Sequence, residues 1–399
     1  MRVAVIGQGY VGLTIAISAG QAGHKVIGLD VNPLLILALA SGTSHIEGIE
    51  SSDVAQLISG STYVPTTDET LLSQCDVIVI AVPTPLTDDR LPDLAYVHAA
   101  SDCIARVVNK PTLIINESTS FPGTLRDEIA SRILRASGVE HLYAASPERV
   151  DPGNEKWVAR NTPRLIGGLT AGACAAERSF YASFCDTIIE VSSPEVAEAA
   201  KLFENTFRQV NIALVNEFAQ VSHALGIPVR EVLDAAATKP YGFMKFLPGA
   251  GVGGHCIPVD PSYLAYVAEK ASTPATFIAR ANAVNLAMPT YVAKRVIAGL
   301  AGTVVKKKIV VVGVSYKANV ADTRETPAAA VIDLLREAGA DVSWHDPLVG
   351  SWRGEQSRGL TGFDAAVVVT LHDQINVADV QKSGYIFDCT GLISGADGL

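Results

Sequence analysis

Six cysteines in 399 residues, at positions 75, 103, 174, 185, 256 and 389, form no CxxC pair and no ligand-spaced cluster. That excludes a disulfide framework and a zinc site, and it predicts a reducing, cytoplasmic setting with no bound metal. No apolar run reaches membrane-spanning length, so no membrane partner is expected. Basic patches with interleaved aromatics are absent too, which argues against nucleic acid. The one dense basic run, Lys306-Lys307-Lys308, directly precedes an apolar strand and reads as a solvated strand entry. The chain opens straight into Arg2-Val3-Ala4-Val5-Ile6, leaving no room for a signal peptide. Charged residues make up 18% against 48% hydrophobic, an ordinary globular balance. At this length two or three domains are expected. The net charge of −10 is spread along the chain and implies solubility only.

What is present centres on Phe246–Asp260, FLPGAGVGGHCIPVD. Gly249, Gly251, Gly253 and Gly254, with Gly242 upstream, allow left-handed backbone and close approach to a ligand, while Pro248, Pro258 and Pro261 stiffen the flanks. Cys256 follows the glycines, beside His255 and four residues before Asp260. A thiol so presented is a candidate nucleophile; a buried, inert cysteine is the alternative.

At the N-terminus the strand Arg2–Ile6 leads into Gly7-Gln8-Gly9-Tyr10-Val11-Gly12, a helical stretch through Ala22 and a second strand, Lys25–Leu29, closed by Asp30. This is a dinucleotide fingerprint. Gly7 makes the tight turn, Gly9 admits the pyrophosphate and Gly12 lets helix and strand pack. The helix start offers N–H groups to phosphate, and a carboxylate at Asp30 favours NAD over NADP.

Further strands fall at parallel-sheet spacing: Val77–Val82 (the third), Thr112–Ile115, Leu142–Ala145, Leu165–Ile166 and Ile188–Val191. The sites of such sheets lie at strand carboxyl ends, here Val82-Pro83-Thr84-Pro85, Asn116-Glu117-Ser118-Thr119 and Ser146-Pro147-Glu148-Arg149. Thr119 and Glu148 could hold and deprotonate a water, or could simply cap the helices that follow. Glu195–Leu225 carries apolar residues every three or four positions without Pro or Gly. It predicts a helix of roughly 45 Å that joins two lobes and pairs with a second copy of the chain. Lys201 and Asn205 share one face of it, which suits joint donation to an oxyanion and equally a solvated surface.

The strand rhythm resumes at Ile309–Val314, Val342–Trp344, Ala365–Val369 and Tyr385–Phe387. Its first turn, Gly313-Val314-Ser315-Tyr316-Lys317, lacks the glycine fingerprint and should not take a second dinucleotide. Lys317 and Arg324 beyond it suit phosphate oxygens. The glycine-rich tail Ser394–Leu399 reads as loosely held. The fold class expected is α/β, two Rossmann-like doubly wound domains (1–194 and 302–399) joined by a central helical region, 195–301.

GQGYVG, VPTP, ESTSFPGT, SPERVDPGN, KLFENTFRQVNIALVNE, PGAGVGGHCIPVDP and GVSYKANVADTRETP together resemble, in order, the UDP-glucose/GDP-mannose dehydrogenase family. TKPYGFM and GGHCIPVDP are similar to the UDP-N-acetylglucosamine 6-dehydrogenase branch, whereas the UDP-glucose branch has GGSCFxKD and an upstream arginine. The resemblance implies two successive oxidations of a sugar C6 alcohol to a carboxylate, with two NAD. UDP-N-acetylglucosamine is the first candidate; UDP-glucose, UDP-N-acetylmannosamine and UDP-N-acetylgalactosamine remain open.

By the same resemblance Cys256 forms the thiohemiacetal and thioester, and Lys201 and Asn205 stabilise the C6 oxygen. Glu148 promotes hydrolysis, with Thr119 and Asp260 positioning water. NAD would meet Gly7, Gly9, Tyr10, Val11, Gly12, Asp30, Val82, Pro83, Thr84, Ser118, Thr119 and Arg324. The UDP-sugar would meet Glu148, Arg149, Val150, Lys201, Asn205, Phe246, Leu247, Pro248, Gly249, Gly251, Gly254 and Lys317. A simple two-electron β-hydroxyacid dehydrogenase shares the Rossmann start and the lysine–asparagine helix, but needs neither the cysteine nor a second nucleotide domain. A non-catalytic NAD-binding protein is the third possibility.

Overall fold

The computed structural model describes residues 1–46, 48–150, 154 and 156–399. Asp151, Pro152 and Gly153 of the SPERVDPGN motif therefore lie outside the described residues. The chain divides into two compact units, Met1–Glu204 with Ser262–Ser272, and Asn205–Pro261 with Thr273–Leu399.

The first unit is built on eight strands: β1 Arg2–Ile6, β2 Lys25–Leu29, β3 Tyr63–Thr66, β4 Val77–Ile80, β5 Leu113–Asn116, β6 Leu142–Ala145, β7 Arg164–Gly168 and β8 Ile188–Glu190. Their order is β3-β2-β1-β4-β5-β6-β7-β8. The first six reproduce the dinucleotide-binding order, with its switch point between β1 and β4. β1, β4 and β5 read as near-continuous apolar runs because both sheet faces are covered. Two features depart from the expected sheet. Val77–Ile80 is the fourth strand, because Tyr63-Val64-Pro65-Thr66 forms an edge strand beside β2. Pro65 obscures it in sequence and is tolerated because an edge strand has one unpaired side. β7, moreover, runs antiparallel to β6, so its first residue lies at the carboxyl end of its neighbour.

The second unit holds a parallel sheet of β9 Lys308–Val312, β10 Asp341–His345, β13 Ala365–Val368, β14 Tyr385–Asp388 and β15 Asp397–Gly398, in the order β10-β9-β13-β14-β15. A separate hairpin pairs β11 Ser351–Trp352 with β12 Glu355–Gln356. The tail is not loose: β15 pairs with β14, Arg295 Nη2 binds Asp397 Oδ1 at 2.6 Å, and Tyr385 donates to Asp397 Oδ2 at 2.7 Å. An ion pair and a hydroxyl from distant sequence hold what glycine content alone would leave free.

The long helix spans Pro194–Leu225, 32 residues or about 48 Å. Val196, Phe203, Phe207, Leu214, Val221 and Leu225 are all exposed on it. Their seven- and four-residue spacing aligns them in one stripe, with Lys201 and Asn205 on the opposite face.

Candidate active site

The turn after β1 shows why each glycine is required. Gly7 has φ +90°, and a Cβ there would lie 2.4 Å from the Ala81 carbonyl oxygen. A Cβ on Gly12 would lie 1.8 Å from the Gly7 oxygen, whereas one on Gly9 would meet nothing within 4 Å. The loop is thus closed below and open above. The helix Tyr10–Gln21 starts at Gly9 without a side-chain cap, leaving its first N–H groups for an anion. Asp30, ending β2, accepts from Gln8 N at 2.8 Å and Asn32 N at 2.9 Å. Gln8, unassigned from sequence, is wholly buried. Its Nε2 donates to Val5 O and Gly7 O, and its Oε1 accepts from Tyr63 of the overlooked edge strand at 2.7 Å. Bare Gly28 leaves room for that pair. The cradle fits a dinucleotide: open backbone over an uncapped helix start, and a carboxylate at the end of the second strand.

Val82, Pro83 and Thr84 follow β4, the strand beside β1, and Ser118 and Thr119 follow β5, the next strand out. The Ser118 hydroxyl ties the two ends, accepting from Val82 N and donating to Val82 O, each at 2.9 Å. Among the described residues neither Thr119 nor Glu148 caps a helix. The turn after Thr119 is held by Glu198 of the long helix, which accepts from Gly123 N at 2.8 Å and Leu125 N at 2.9 Å. Burial pushes the Glu198 carboxyl up to about 7, against those two N–H groups.

Glu148 is buried. Its Oε1 accepts from Arg149 N at 2.6 Å and Val150 N at 2.8 Å, and its Oε2 meets Arg164 Nη2 at 2.7 Å. Burial opposes its charge, but Arg164 and the two backbone donors prevail and hold it below the ordinary carboxylate range. Arg149 pairs with Glu204 at 2.7 Å and donates to Pro163 O.

In the second unit Asn205 Nδ2 donates to Asp260, and Asp260 N donates to Cys256 O at 2.8 Å. The thiol-bearing residue and the carboxylate thereby share one turn at the start of the helix Asp260–Lys270, and the amide reaches that turn from the long helix. Cys256 is exposed, while the other five cysteines are buried. Burial raises all five of those thiols above their ordinary range and keeps them unreactive. The glycine loop before Cys256 rests on residues from later in the chain. Gly254 N donates to Arg324 O at 2.9 Å, and Cβ atoms on Gly253 and Gly254 would strike the Tyr316 side chain. Gly249 N donates to Asn216 Oδ1 of the long helix, and Phe246 packs edge-on against Phe207. Pro248 is buried there, Leu247 is exposed, and Gly251 at φ +143° abuts Pro327.

Arg324 belongs to this unit, lies near Cys256 and is gripped by Asp322 at 2.6–3.0 Å. His255 is held below its usual value by burial and then by Arg324, so it stands as a neutral imidazole. Lys317 is half-buried on the same loop. Lys201 is buried on the long helix, one turn before Asn205. Arg164, Glu198, Asn216 and the Gln8–Tyr63 pair were not singled out from sequence. Only position relative to distant strands gives them meaning.

Comparison with known proteins agrees with this geometry. Residues 1–185 match the NAD binding domain of the UDP-glucose/GDP-mannose dehydrogenase family, 195–287 its central domain and 310–395 its UDP binding domain. The chain is 34% identical to a UDP-N-acetyl-D-mannosamine dehydrogenase of Pyrococcus horikoshii, covering 96% of this chain and 92% of that one. It is 32% identical to a UDP-N-acetyl-D-glucosamine 6-dehydrogenase of Pseudomonas aeruginosa, covering 96% and 94%. A solved UDP-D-ManNAc dehydrogenase from Pyrococcus horikoshii superposes with a TM-score of 0.91 at 32% identity, over 100% of this chain and 99% of that one. Among the described residues no helix is long and apolar enough to cross a membrane. The chain belongs to the UDP-glucose/GDP-mannose dehydrogenase family, NAD-dependent oxidoreductases of nucleotide sugars.

Proposed function

We propose that the protein oxidises the C6 alcohol of a UDP-N-acetylhexosamine, UDP-N-acetylglucosamine first, to the uronic acid through a covalent intermediate on Cys256. The observation that carries this reading is the contrast between one exposed cysteine, on a glycine loop beside Asp260, and five buried ones. Bound NAD supplies the hydride acceptor, one equivalent for each oxidation. Gly7, Gly9, Tyr10, Val11, Gly12, Asp30 and the ends of β4 and β5 would hold it, and the family resemblance assigns Arg324 to it as well. Once the alcohol has become an aldehyde, Cys256 Sγ bonds to C6 and the oxygen takes up a proton, giving a thiohemiacetal. Removal of a hydride and that hydroxyl proton leaves a thioester. Water then adds to the carbonyl carbon, the C–S bond breaks, and the carboxylate and the free thiol are released.

Lys201 and Asn205 stabilise charge on the C6 oxygen, as preorganised buried donors do. Glu148 takes the proton of the attacking water, with Thr119 and Asp260 orienting it. Backbone from Glu148 to Val150 and from Phe246 to Gly254 grips the sugar, and Lys317 the pyrophosphate. In this scheme residues 1–194 serve NAD, 195–301 the dimer and catalytic loop, and 302–399 the UDP group. A second copy of the chain covers the exposed stripe of the long helix. Leu214→Glu should give monomers by light scattering, and an unchanged assembly would remove the stripe from the interface.

A second reading, UDP-N-acetylmannosamine, is favoured by the names of relatives at equal or greater identity. The two sugars differ in configuration at C2. The test is to count NADH formed per sugar consumed across UDP-N-acetylglucosamine, UDP-N-acetylmannosamine, UDP-N-acetylgalactosamine and UDP-glucose. Two per sugar is expected, with the highest kcat/KM for UDP-N-acetylglucosamine. One per sugar would replace the scheme with a two-electron oxidation.

A further inference from the structure

Behind Glu148 lies a buried ionic group that the proposed chemistry does not use. Arg164 is the first residue of β7. Because β7 is antiparallel to β6, with Ala145 opposite Gly167, continuing the register places Arg164 opposite Glu148. Its guanidinium forks between two carboxylates: Nη2 meets Glu148 Oε2 at 2.7 Å, and Nη1 meets Glu117 Oε1 at 3.0 Å. Nη1 also donates to Ser146 Oγ at 3.1 Å. The Tyr181 ring lies 4.5 Å beneath the guanidinium, and its hydroxyl donates to Glu117. Arg164, Glu117, Ser146 and Tyr181 are all at most 4% exposed.

One cation serving two carboxylates at this depth is an unusual expense of desolvation. Replacing it by apolar packing would serve stability as well, so the arrangement calls for a functional reason. We infer that Arg164 is the positioning residue that orients Glu148 for water activation, and that Glu117, sharing the same guanidinium, holds Arg164 in that orientation. This rests on the assignment of Glu148 as the base in thioester hydrolysis. The fork fixes one Glu148 oxygen, while the N–H groups of Arg149 and Val150 fix the other, so the carboxylate has a single orientation. Glu117 and Ser146 hold Nη1, which keeps Nη2 aimed at Glu148. Burial pushes Glu117 itself up to about 7, against Arg164. The other titratable groups around the trio are Glu177, also raised by burial, Tyr181, the Cys185 thiol, and Arg149 in its pair with Glu204.

Three variants test this by intact mass and by the pH profile of acid release. Arg164→Lys keeps the charge but loses the fork. It should retain the first NADH yet clear the acylated Cys256 about tenfold to a hundredfold more slowly, so the adduct accumulates. Arg164→Gln removes the charge as well as the fork. Glu148 should then lose the cation that holds it down, moving the acidic limb of hydrolysis up by about one pH unit; a merely structural role would not move that limb. Wild-type clearance in Arg164→Lys, or an unmoved limb in Arg164→Gln, overturns the proposal. Should one of the two Arg164 variants fail to fold, as read by thermal melting, the other decides alone. Glu148→Gln separates the two levels. If it accumulates adduct while the other variants behave as wild type, the network proposal alone fails. If it accumulates none, the assignment of Glu148 fails, and the proposal with it.

Discussion

The two sheets carry the same turn at the same switch point, and they use it for different ends. In the larger sheet Gly7 N donates to Leu29 O; in the smaller, Gly313 N donates to His345 O, each at 2.8 Å. Gly7 and Gly313 both have positive φ, and a Cβ on either would strike backbone of the strand-end beyond, at Ala81 or Thr370. Each neighbouring strand is followed by an aspartate, Asp30 or Asp346. There the likeness ends. Asp30 is half-buried, and behind Gly7 a helix starts at once with its N-terminus uncapped. Asp346 is 1% exposed and saturated: Val314 N, Ser315 N, Ser315 Oγ and His372 Nε2 surround one oxygen, and Leu348 N and Val349 N the other. No helix follows until Pro327. The residues between form a loop that buttresses the glycines before Cys256 and carries Lys317 and Arg324. A dinucleotide cradle therefore needs more than the strand order. It needs the helix start and an acid whose oxygens each keep a lone pair free, as Asp30 does with one backbone donor on each.

The largest difference between the two turns should emerge when each is given a side chain. Gly7→Val should abolish measurable NAD binding, because overpacking at positive φ costs about 3 kcal/mol, roughly a hundredfold in affinity. Gly313→Val should melt the second unit earlier, yet leave the NAD dissociation constant unchanged by fluorescence titration. If Gly313→Val weakened NAD as much as Gly7→Val, the two turns would not be functionally distinct. The acids give the next largest contrast. Asp30→Ala should weaken NAD about tenfold and narrow its advantage over NADP. Asp346→Asn should instead lower the melting temperature, since removing one charge strands buried donors. Equal loss of NAD affinity from both would contradict the assignment.

The pH dependence of stability follows from the same pair. Although burial opposes it, donation from His372 and from the backbone holds the Asp346 carboxyl down at about 2. A depressed folded-state value means that its stabilisation is complete above the unfolded value near 4 and is lost as pH falls toward about 2. Calorimetry of the second unit's transition should show that decline, flattened in His372→Ala; an identical slope would remove Asp346 as its source. The smallest effect is expected from Tyr63→Phe, which deletes the bond to Gln8 and should cost about 1 kcal/mol, with a few-fold loss of NAD affinity. No change in affinity would mean that the edge strand does not steady the glycine turn.

Much of this was readable in the sequence, for definite reasons. The glycine fingerprint, the glycine–cysteine loop and the long helix depend on residue types at short spacing, so they survive without coordinates, whereas the exposure of Cys256 does not. Tyr63–Thr66 did not, because a four-residue strand containing Pro65 looks like a loop until a neighbour pairs with it. Asp397–Gly398 was hidden because its partners, Arg295 and Tyr385, lie elsewhere in the chain. Arg164 reads in sequence as an ordinary strand-start arginine; only the antiparallel turn of β7 brings it to Glu148. Glu198 looks like one more helix acid until the N–H groups of Gly123 and Leu125 are seen facing it. What sequence conceals here is polar partnership across long separations.

The most direct measurement is rapid-quench peptide mass mapping of the enzyme during turnover of UDP-N-acetylglucosamine with NAD. The expected result is a sugar adduct on the peptide that carries Cys256, and on none of the five buried cysteines. Two NADH per sugar with no adduct on Cys256 at any quench time, and undiminished acid formation by Cys256→Ala, would contradict it.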